Sequence, residues 1–289
     1  PVLDYPILRD LHGEGMTDYV AMPMTFSDGQ INALTLAADR PGGFTTADLG
    51  RIHEIVPVLS RFYEVHEART KGTTLLQTYL GRHTGDKVLK GLTKRGDGED
   101  LHVVIWFCDL RQSTTLAESM PQEEFLETLN RFFECMVKPV VEYGGEVLRF
   151  IGDAVLAVFP LVDGDSRQQR ACDDALTAAL DAEGRMREYN AKRIAEGKQP
   201  LGFGIGLHLG RVTYGNIGIP ERLEFTVIGS AANEAARIES LTKEVDYRIV
   251  ASEAFAERCA SPLKPIGEFE LRGLAKKRLI YVPQAAPGF

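Results

Sequence analysis

Residues 201–209 read LGFGIGLHL. Large apolar side chains occupy every second position, and a period of two residues is typical of a β-strand. One face of this strand is apolar, whereas the other face carries the three glycines Gly202, Gly204 and Gly206. A strand face without side chains predicts that another element packs very closely against its backbone.

Short apolar strands and amphipathic helices surround this stretch and predict one α/β (α+β) domain over residues 101–284. The predicted strands are His102–Phe107, Glu146–Phe150, Val155–Phe159, Leu201–Leu209, Leu223–Ile228, Tyr247–Ala251, Phe269–Arg272 and Leu279–Val282. The predicted helices begin at Pro121, at about Asp165 and at Ala231. The loop-like stretch Arg95–Asp100 marks the amino-terminal boundary of this domain.

The chain before this boundary is predicted to contain two further parts. Tyr19–Phe26 and Ile31–Ala38 form a hairpin, and apolar residues recur at helical spacing after Thr45. Residues 1–66 thereby resemble the carboxy-terminal half of a GAF-type sensor domain. Residues 67–100 are predicted to be a helical connector.

Composition excludes several classes of protein. The 289 residues include 33 basic and 41 acidic side chains, a net charge of −8, which argues against a nucleic-acid partner. No apolar run approaches the ~18 residues of a membrane span, so no membrane segment is predicted. Four unclustered cysteines favour a cytoplasmic location. Because the chain begins at Pro1, we expect it to be a fragment of something longer.

Four polar residues lie at positions suited to chemistry. Asp109 follows the predicted strand that ends at Phe107, and Asp153 lies in a tight turn, so the two carboxylates could converge on hard cations. Asn233 and Arg237 are four residues apart and share one helix face, which suits a ribose and a phosphoryl oxygen. Each also has a simpler interpretation, as a cap, a turn residue or part of a solvated helix face.

Three ordered motifs favour the chemical interpretation. They are FCDLRQST at 107–114, GGEVLRFIGD at 144–153 and TVIGSAANEAAR at 226–237. Together they closely resemble the catalytic motifs of the class III nucleotidyl cyclases, and the resemblance extends over Leu101–Pro283. It includes the glycine-rich strand and a predicted hairpin from Gly210–Val212 to Asn216–Gly218. The resemblance implies a ferredoxin-like palm core with extra elements, and a dimer whose active sites lie at the subunit interface.

The resemblance also implies a role for each motif residue. Asp109 and Asp153 would bind two Mg²⁺ or Mn²⁺ ions per site, with help from the backbone carbonyl of Leu110. Asn233 would orient the ribose, and Arg237 would stabilise charge at the α-phosphate. The ribose 3′-hydroxyl would attack the α-phosphorus, and pyrophosphate would leave. The aspartates would come from one subunit of a homodimer, and Asn233 and Arg237 from the other.

The choice of base depends on Arg149 and Thr226, which match the two base-reading positions. Adenylate cyclases of this family normally have lysine where Arg149 stands. Arginine only donates hydrogen bonds, so it suits adenine N1, while the Thr226 hydroxyl can accept from the 6-amino group. Arginine also pairs with guanine O6 and N7, so GTP stays an alternative to the predicted ATP.

In the class III cyclases the triphosphate usually contacts a lysine near the carboxy-terminal end of the domain. Lys276 is the predicted residue, with Arg272 and Lys277 as alternatives and a solvated basic loop as the simpler interpretation. The function that follows is adenylate cyclase. Two alternatives remain because Arg149 replaces the usual lysine and because the residue that meets the triphosphate is not assigned. They are a guanylate cyclase and a degenerate module that binds a nucleotide without turnover.

Overall fold

A computed structural model describes residues 5–161, 165–274 and 276–284, with the side chains of 165–167 left out. The chain divides into two compact units, residues 1–75 and residues 76–289. Each unit is described by itself.

The first unit contains one hairpin and two helices. Its elements are α1 (Pro6–Gly13), β1 (Asp18–Thr25), β2 (Ile31–Ala38) and the larger part of α2 (Thr46–Leu80). The strands β1 and β2 pair antiparallel, so the predicted hairpin is confirmed. Helix α2 passes through Pro57 and runs for 35 residues, which is longer than the sequence pattern indicates.

The second unit is an α/β domain. Its helices are α3 (Arg82–Leu89), α4 (Ser113–Ser119), α5 (Gln122–Glu142), α6 (Asp165–Ala195), α7 (Ser230–Leu241) and α8 (Glu253–Ala256). Its strands are β3 (Gly98–Leu110), β4 (Glu146–Ile151), β5 (Ala154–Pro160), β6 (Phe203–Ile219), β7 (Arg222–Ile228), β8 (Ile249–Ser252), β9 (Leu263–Phe269) and β10 (Arg278–Pro283).

The strands of this unit form one mixed sheet. In the described part of the chain its order is β4-β5-β3-β6-β8-β10-β9, with β7 paired to β6. Neighbouring strands are antiparallel, except that β6 and β8 run parallel. Residues of α5 and α6, such as Phe132 and Ala179, share a buried cluster with Trp106 of β3. Ala235 of α7 shares another cluster with Val103 and Ile105 of β3. Because successive side chains of a strand point to opposite faces, helices cover both faces of β3.

The glycine face of β6 receives helix α7, as the sequence predicts. A Cβ atom on Gly206 would lie 2.6 Å from the backbone nitrogen of Glu239 and 2.8 Å from the carbonyl oxygen of Ala235. A Cβ atom on Gly204 would overlap the side chains of Thr242 and Glu239. The absence of side chains on this face therefore lets the backbone of α7 approach the strand directly.

Three of the predicted boundaries are wrong. The strand β3 begins at Gly98 and ends at Leu110, so it takes up part of the predicted loop and contains Asp109. Strand β6 continues to Ile219, so residues 210–218 are one strand of a longer hairpin with β7 and not a hairpin themselves. The long ladder of hydrogen bonds between β3 and β6 keeps both segments extended, and it overrides the turn signals in the local sequence.

The third wrong boundary is the strand predicted at Phe269–Arg272. The strand β9 ends at Phe269 and begins at Leu263. It lies at the edge of the sheet and carries Lys264 and Glu268. Charged residues are common on edge strands because they discourage pairing with other chains, and they hide the apolar alternation on which the prediction depends.

Helix α3 is attached to the sheet by a buried polar network. The hydroxyl groups of Thr84 and Tyr214 form a hydrogen bond, and both contact the carboxylate of Glu146, at 3.3 Å and 3.2 Å. Thr84 is 2 % exposed, so these hydrogen bonds form where water does not compete. The network connects the start of the domain with strands β4 and β6.

Candidate active site

The two predicted metal-binding aspartates lie at one end of the sheet. Asp109 pairs with Ala154 in the ladder between β3 and β5, and Ala154 directly follows Asp153. Asp153 lies in the turn between β4 and β5, where Gly152 has a φ of +63° that favours glycine. Both carboxylates are partly exposed. Asp153 therefore lies next to the residue that pairs with Asp109, at the same end of the sheet.

Cys108 lies beside Asp109 but faces the buried core of the domain. Its side chain is fully buried with Trp106 and Leu110. Burial raises the pKa of the Cys108 thiol well above its usual value, so the thiol stays protonated at neutral pH. Cys108 is therefore a buried thiol that contributes to the core of the domain.

A positively charged side chain of the same domain lies beside Asp109. The ammonium group of Lys243 lies 3.1 Å from Asp109 Oδ2. Within the described residues no group of three or more histidine, cysteine, aspartate or glutamate side chains could hold a metal ion. Two neighbouring carboxylates, one of which already contacts a cation, fit a hard divalent ion whose other ligands would be carbonyl, water and phosphate oxygens. Leu110, predicted to give such a carbonyl, is the last residue of β3.

Glu239 is a residue of α7, and its carboxyl group is buried between this helix and β6. Burial, and after it repulsion from Asp109, raise the pKa of Glu239 to about 7. The Thr242 hydroxyl donates to the Glu239 carbonyl oxygen at 2.6 Å and approaches Oε1 at 3.2 Å. The Glu239 carboxyl group therefore holds its proton to a higher pH than an exposed glutamate does.

Helix α7 carries Asn233 and Arg237 one turn apart. Asn233 is exposed and Arg237 is partly exposed, so both can reach a ligand. Arg237 lines a groove of about 420 Å³ together with Arg272 and Gly273. Two residues of α7 therefore present an amide and a guanidinium to the surface, next to a basic loop.

Polar contacts on the inner side of α7 fix its position. Glu234, which follows Asn233, accepts a hydrogen bond from Arg278 Nε of β10 at 2.7 Å. His208 of β6 contacts the Ser252 hydroxyl through Nδ1 at 2.9 Å. Burial lowers the pKa of His208, which keeps the ring neutral. The side chain of His208 is 8 % exposed and lies inside the domain.

The two predicted base-reading residues lie on β4 and β7, which are not paired with each other in the described part of the sheet. Arg149 of β4 is exposed, and its Nε lies 2.9 Å from Glu224 Oε1 of β7. Thr226 is two residues further along β7 and is 5 % exposed. The sequence motifs do not indicate Glu224 as a site residue. Its position two residues before Thr226, on the same face of a strand, is the signal that could have found it.

The predicted triphosphate residues lie in the loop between β9 and β10. Lys276 is exposed. Lys277 lies 3.7 Å from Glu270, and Arg272 lines the groove beside Arg237. Of the three, Arg272 is the one that the structure brings next to another predicted site residue.

The sequence and the fold identify the family of the chain. Residues 99–283 match the family described as the adenylate and guanylate cyclase catalytic domain. Because this match covers more than half of the chain, the chain belongs to that family. It is 34% identical over 171 residues to an adenylate cyclase of Anabaena cylindrica, a match that covers 58% of this chain and 32% of the relative. The chain thus spans about a third of the length of the curated relatives it matches.

Solved structures support the same family. The adenylyl cyclase CyaB from P. aeruginosa has a TM-score of 0.58 and 25% identity, over 64% of this chain and 94% of that chain. A guanylyl cyclase has a TM-score of 0.56 and 29% identity, over 64% of this chain and 92% of that chain. The predicted palm core of the class III cyclases is confirmed. The similar structures include cyclases of both substrate types.

No helix in the described ranges is both long enough and apolar enough to cross a membrane.

Proposed function

We propose that this chain is an adenylate cyclase, which converts ATP to 3′,5′-cyclic AMP and pyrophosphate in a homodimer with Mg²⁺ or Mn²⁺. The family supplies the reaction class, a nucleotide cyclase. The observation that carries the choice of ATP is the contact between Arg149 and Glu224. Glu224 binds Nε and so holds the guanidinium of Arg149 over the strand that contains Thr226.

The geometry of Arg149 favours adenine as follows. A guanidinium carries five N–H donors and no acceptor, and the ion pair uses Nε. The terminal nitrogens of Arg149 would donate to adenine N1, which is an acceptor. The Thr226 hydroxyl would accept from the 6-amino group. Guanine presents N1–H at the position of adenine N1, so it would place a donor against a donor.

The other site residues have roles that follow from their chemistry. Asp109, Asp153 and the Leu110 carbonyl would hold the divalent ions, and Asn233 would orient the ribose by hydrogen bonds. Bound Mg²⁺ or Mn²⁺ would supply the positive charge that favours ionisation of the ribose 3′-hydroxyl and binding of the triphosphate.

On the phosphate side, Arg237 would stabilise the negative charge that develops at the α-phosphate. The groove beside Arg237 leads to Arg272, and Lys276 lies further along the same loop. These two cations would meet the β- and γ-phosphates.

We further propose that each active site combines residues of two subunits. Exposed apolar side chains near the base-reading strands support a partner surface, and they include Phe150, Ile151 and Ile219. In such a dimer the aspartates come from one protomer, and Asn233 and Arg237 from its partner.

Mixing two inactive variants tests this arrangement. Asp153→Asn would disable the metal side of a site, and Arg237→Ala the phosphate side. After free exchange in an equal mixture, half of the dimers are mixed and each has one intact site, so activity should return to about a quarter of the wild-type value. If each site belonged to a single chain, the mixture would stay as inactive as its components.

A comparison of substrates tests the choice of base. The protein is incubated with Mn²⁺ and equal concentrations of ATP or GTP, and the cyclic products are separated and quantified. We expect cyclic AMP as the main product. Asp153→Asn should abolish it, which excludes a contaminating cyclase.

One observation favours guanylate cyclase as a second candidate. The carboxylate of Glu224 lies beside Arg149 and is partly exposed, and a carboxylate accepts from the N1–H and 2-amino groups of guanine. If Glu224 contacts the base directly, Glu224→Gln should lower the turnover of GTP far more than that of ATP.

A further inference from the structure

The lysine that follows helix α7 lies where the metal ions of the proposed cyclase would bind. Lys243 Nζ is 3.1 Å from Asp109 Oδ2, although the two residues are 134 positions apart in the sequence. The side chain of Lys243 is 49% exposed and that of Asp109 is 22% exposed. The ammonium group thus reaches the carboxylate from the solvent side, and its charge has the sign of the expected ligand.

The backbone around Lys243 is fixed by contacts to the sheet. The guanidinium of Arg111 donates to the carbonyl oxygen of Thr242 and, through Nε at 3.3 Å, to that of Phe203. The nitrogen of Lys243 itself donates to the Ser240 carbonyl at 3.1 Å. These contacts hold the end of α7 against the glycine face of β6, so the Lys243 side chain starts from a fixed point close to Asp109.

We propose that Lys243 is a tethered competitor of the divalent cation at Asp109. In the metal-free protein its ammonium neutralises the carboxylate, and a divalent ion must displace it in order to bind. Lys243 thereby raises the metal concentration at which the site fills. This inference rests on the proposed function because it gives Asp109 the role of a metal ligand.

Two features of the site support competition over simple surface pairing. Asp109 lies in a strand opposite Ala154, so the second aspartate, Asp153, is adjacent and adds to the negative potential that attracts either cation. A metal ion bound to Asp109 would also lie close to the ammonium group, and two positive charges at contact distance repel each other. Binding of the metal and retention of the ion pair therefore exclude each other.

The test is a titration with Mn²⁺ alone, in the absence of nucleotide, in which electron paramagnetic resonance measures the free ion. Lys243→Met keeps the length of the side chain and removes its charge, and we expect it to bind Mn²⁺ about two- to fivefold more tightly than wild type. Lys243→Arg keeps the charge and should bind within about twofold of wild type. Lys264→Met removes an exposed lysine of β9 and serves as the matched control with unchanged affinity.

The outcomes separate this inference from the proposed function. Unchanged or weaker Mn²⁺ binding by Lys243→Met would overturn it, because a competitor that is removed must leave a stronger site. Asp109→Asn should lose the same binding, and if it does not, Asp109 is not the ligand and the inference also fails. Tighter binding by Lys243→Met supports the inference even if the wild-type protein forms no cyclic nucleotide, a result that would count against the proposed function alone.

Discussion

Replacement of Gly206 by alanine tests the close contact between β6 and α7. The added Cβ atom would lie 2.6 Å from the Glu239 nitrogen and 2.8 Å from the Ala235 carbonyl oxygen, whereas ordinary contacts begin at 3.4 Å. The helix and the strand must therefore separate by about 0.8 Å. Both neighbours are backbone atoms of a helix, so no side chain can rotate away to relieve the overlap.

Overpacking of this kind costs roughly 1–3 kcal/mol of unfolding free energy. For a domain of this size that corresponds to a melting temperature lower by about 2–12 °C. The separation also displaces Asn233 and Arg237 on the opposite side of α7. Because a shift of about 1 Å can cost roughly 10²-fold in rate, the loss of cyclase activity should exceed the loss of folded protein.

The assays are thermal unfolding followed by circular dichroism, and product formation well below the melting temperature. Gly184→Ala is the matched control, because Gly184 lies in α6 and a Cβ there would meet nothing within 4 Å. The control should be as stable as wild type or more stable by about 0.5–1 kcal/mol, with full activity. Wild-type stability and activity in Gly206→Ala would refute the role assigned to the glycine face.

Three further predictions concern other polar contacts. Thr84→Val should lower the unfolding free energy by about 1–2 kcal/mol, whereas Thr84→Ser, which keeps the hydroxyl, should lower it less; thermal unfolding of both variants checks this. The pKa of Glu239 is raised to about 7 from an unfolded value near 4.5, so its contribution to stability is complete below pH 4.5 and is lost as the pH rises through 7, by up to about 3 kcal/mol. The melting temperature of Glu239→Gln minus that of wild type should therefore be larger at pH 8 than at pH 4.5. An equal difference at both pH values would contradict this. Arg149→Lys should keep the preference for ATP over GTP, because lysine also only donates, and the ratio of the two cyclic products measures it.

Local patterns were sufficient to predict much of the fold. The alternation in 201–209 predicts a strand with a bare face, because period and side-chain size are properties of neighbouring residues. The same holds for the hairpin of β1 and β2. Strand ends were harder to predict: β3 includes Gly98, and β6 continues past Gly210, because pairing with a distant strand decides where each one stops.

Some features of the candidate site could likewise be predicted from the local sequence, and others could not. Asp109, Asp153, Asn233 and Arg237 lie within ordered motifs, and their positions follow from those motifs. The contact of Lys243 with Asp109 could not be predicted, because it joins residues 134 positions apart and depends on how α7 packs on the sheet.

The other contacts that the sequence did not indicate have the same origin. Glu224 meets Arg149 only because the ends of β4 and β7 approach each other in the fold. Arg111 lies within the motif at 107–114, but that motif does not indicate that the Arg111 guanidinium donates to the carbonyl oxygen of Thr242. Tertiary packing, and not local sequence, creates these contacts.

Whether the chain makes cyclic AMP is tested most directly by the products that the purified protein forms from ATP and GTP with Mn²⁺. We expect cyclic AMP and pyrophosphate to appear in equal amounts from ATP, cyclic GMP to be a minor product, and Asp153→Asn to form neither cyclic nucleotide. A folded dimer that forms no cyclic nucleotide from either substrate, or that forms mainly cyclic GMP, would contradict it.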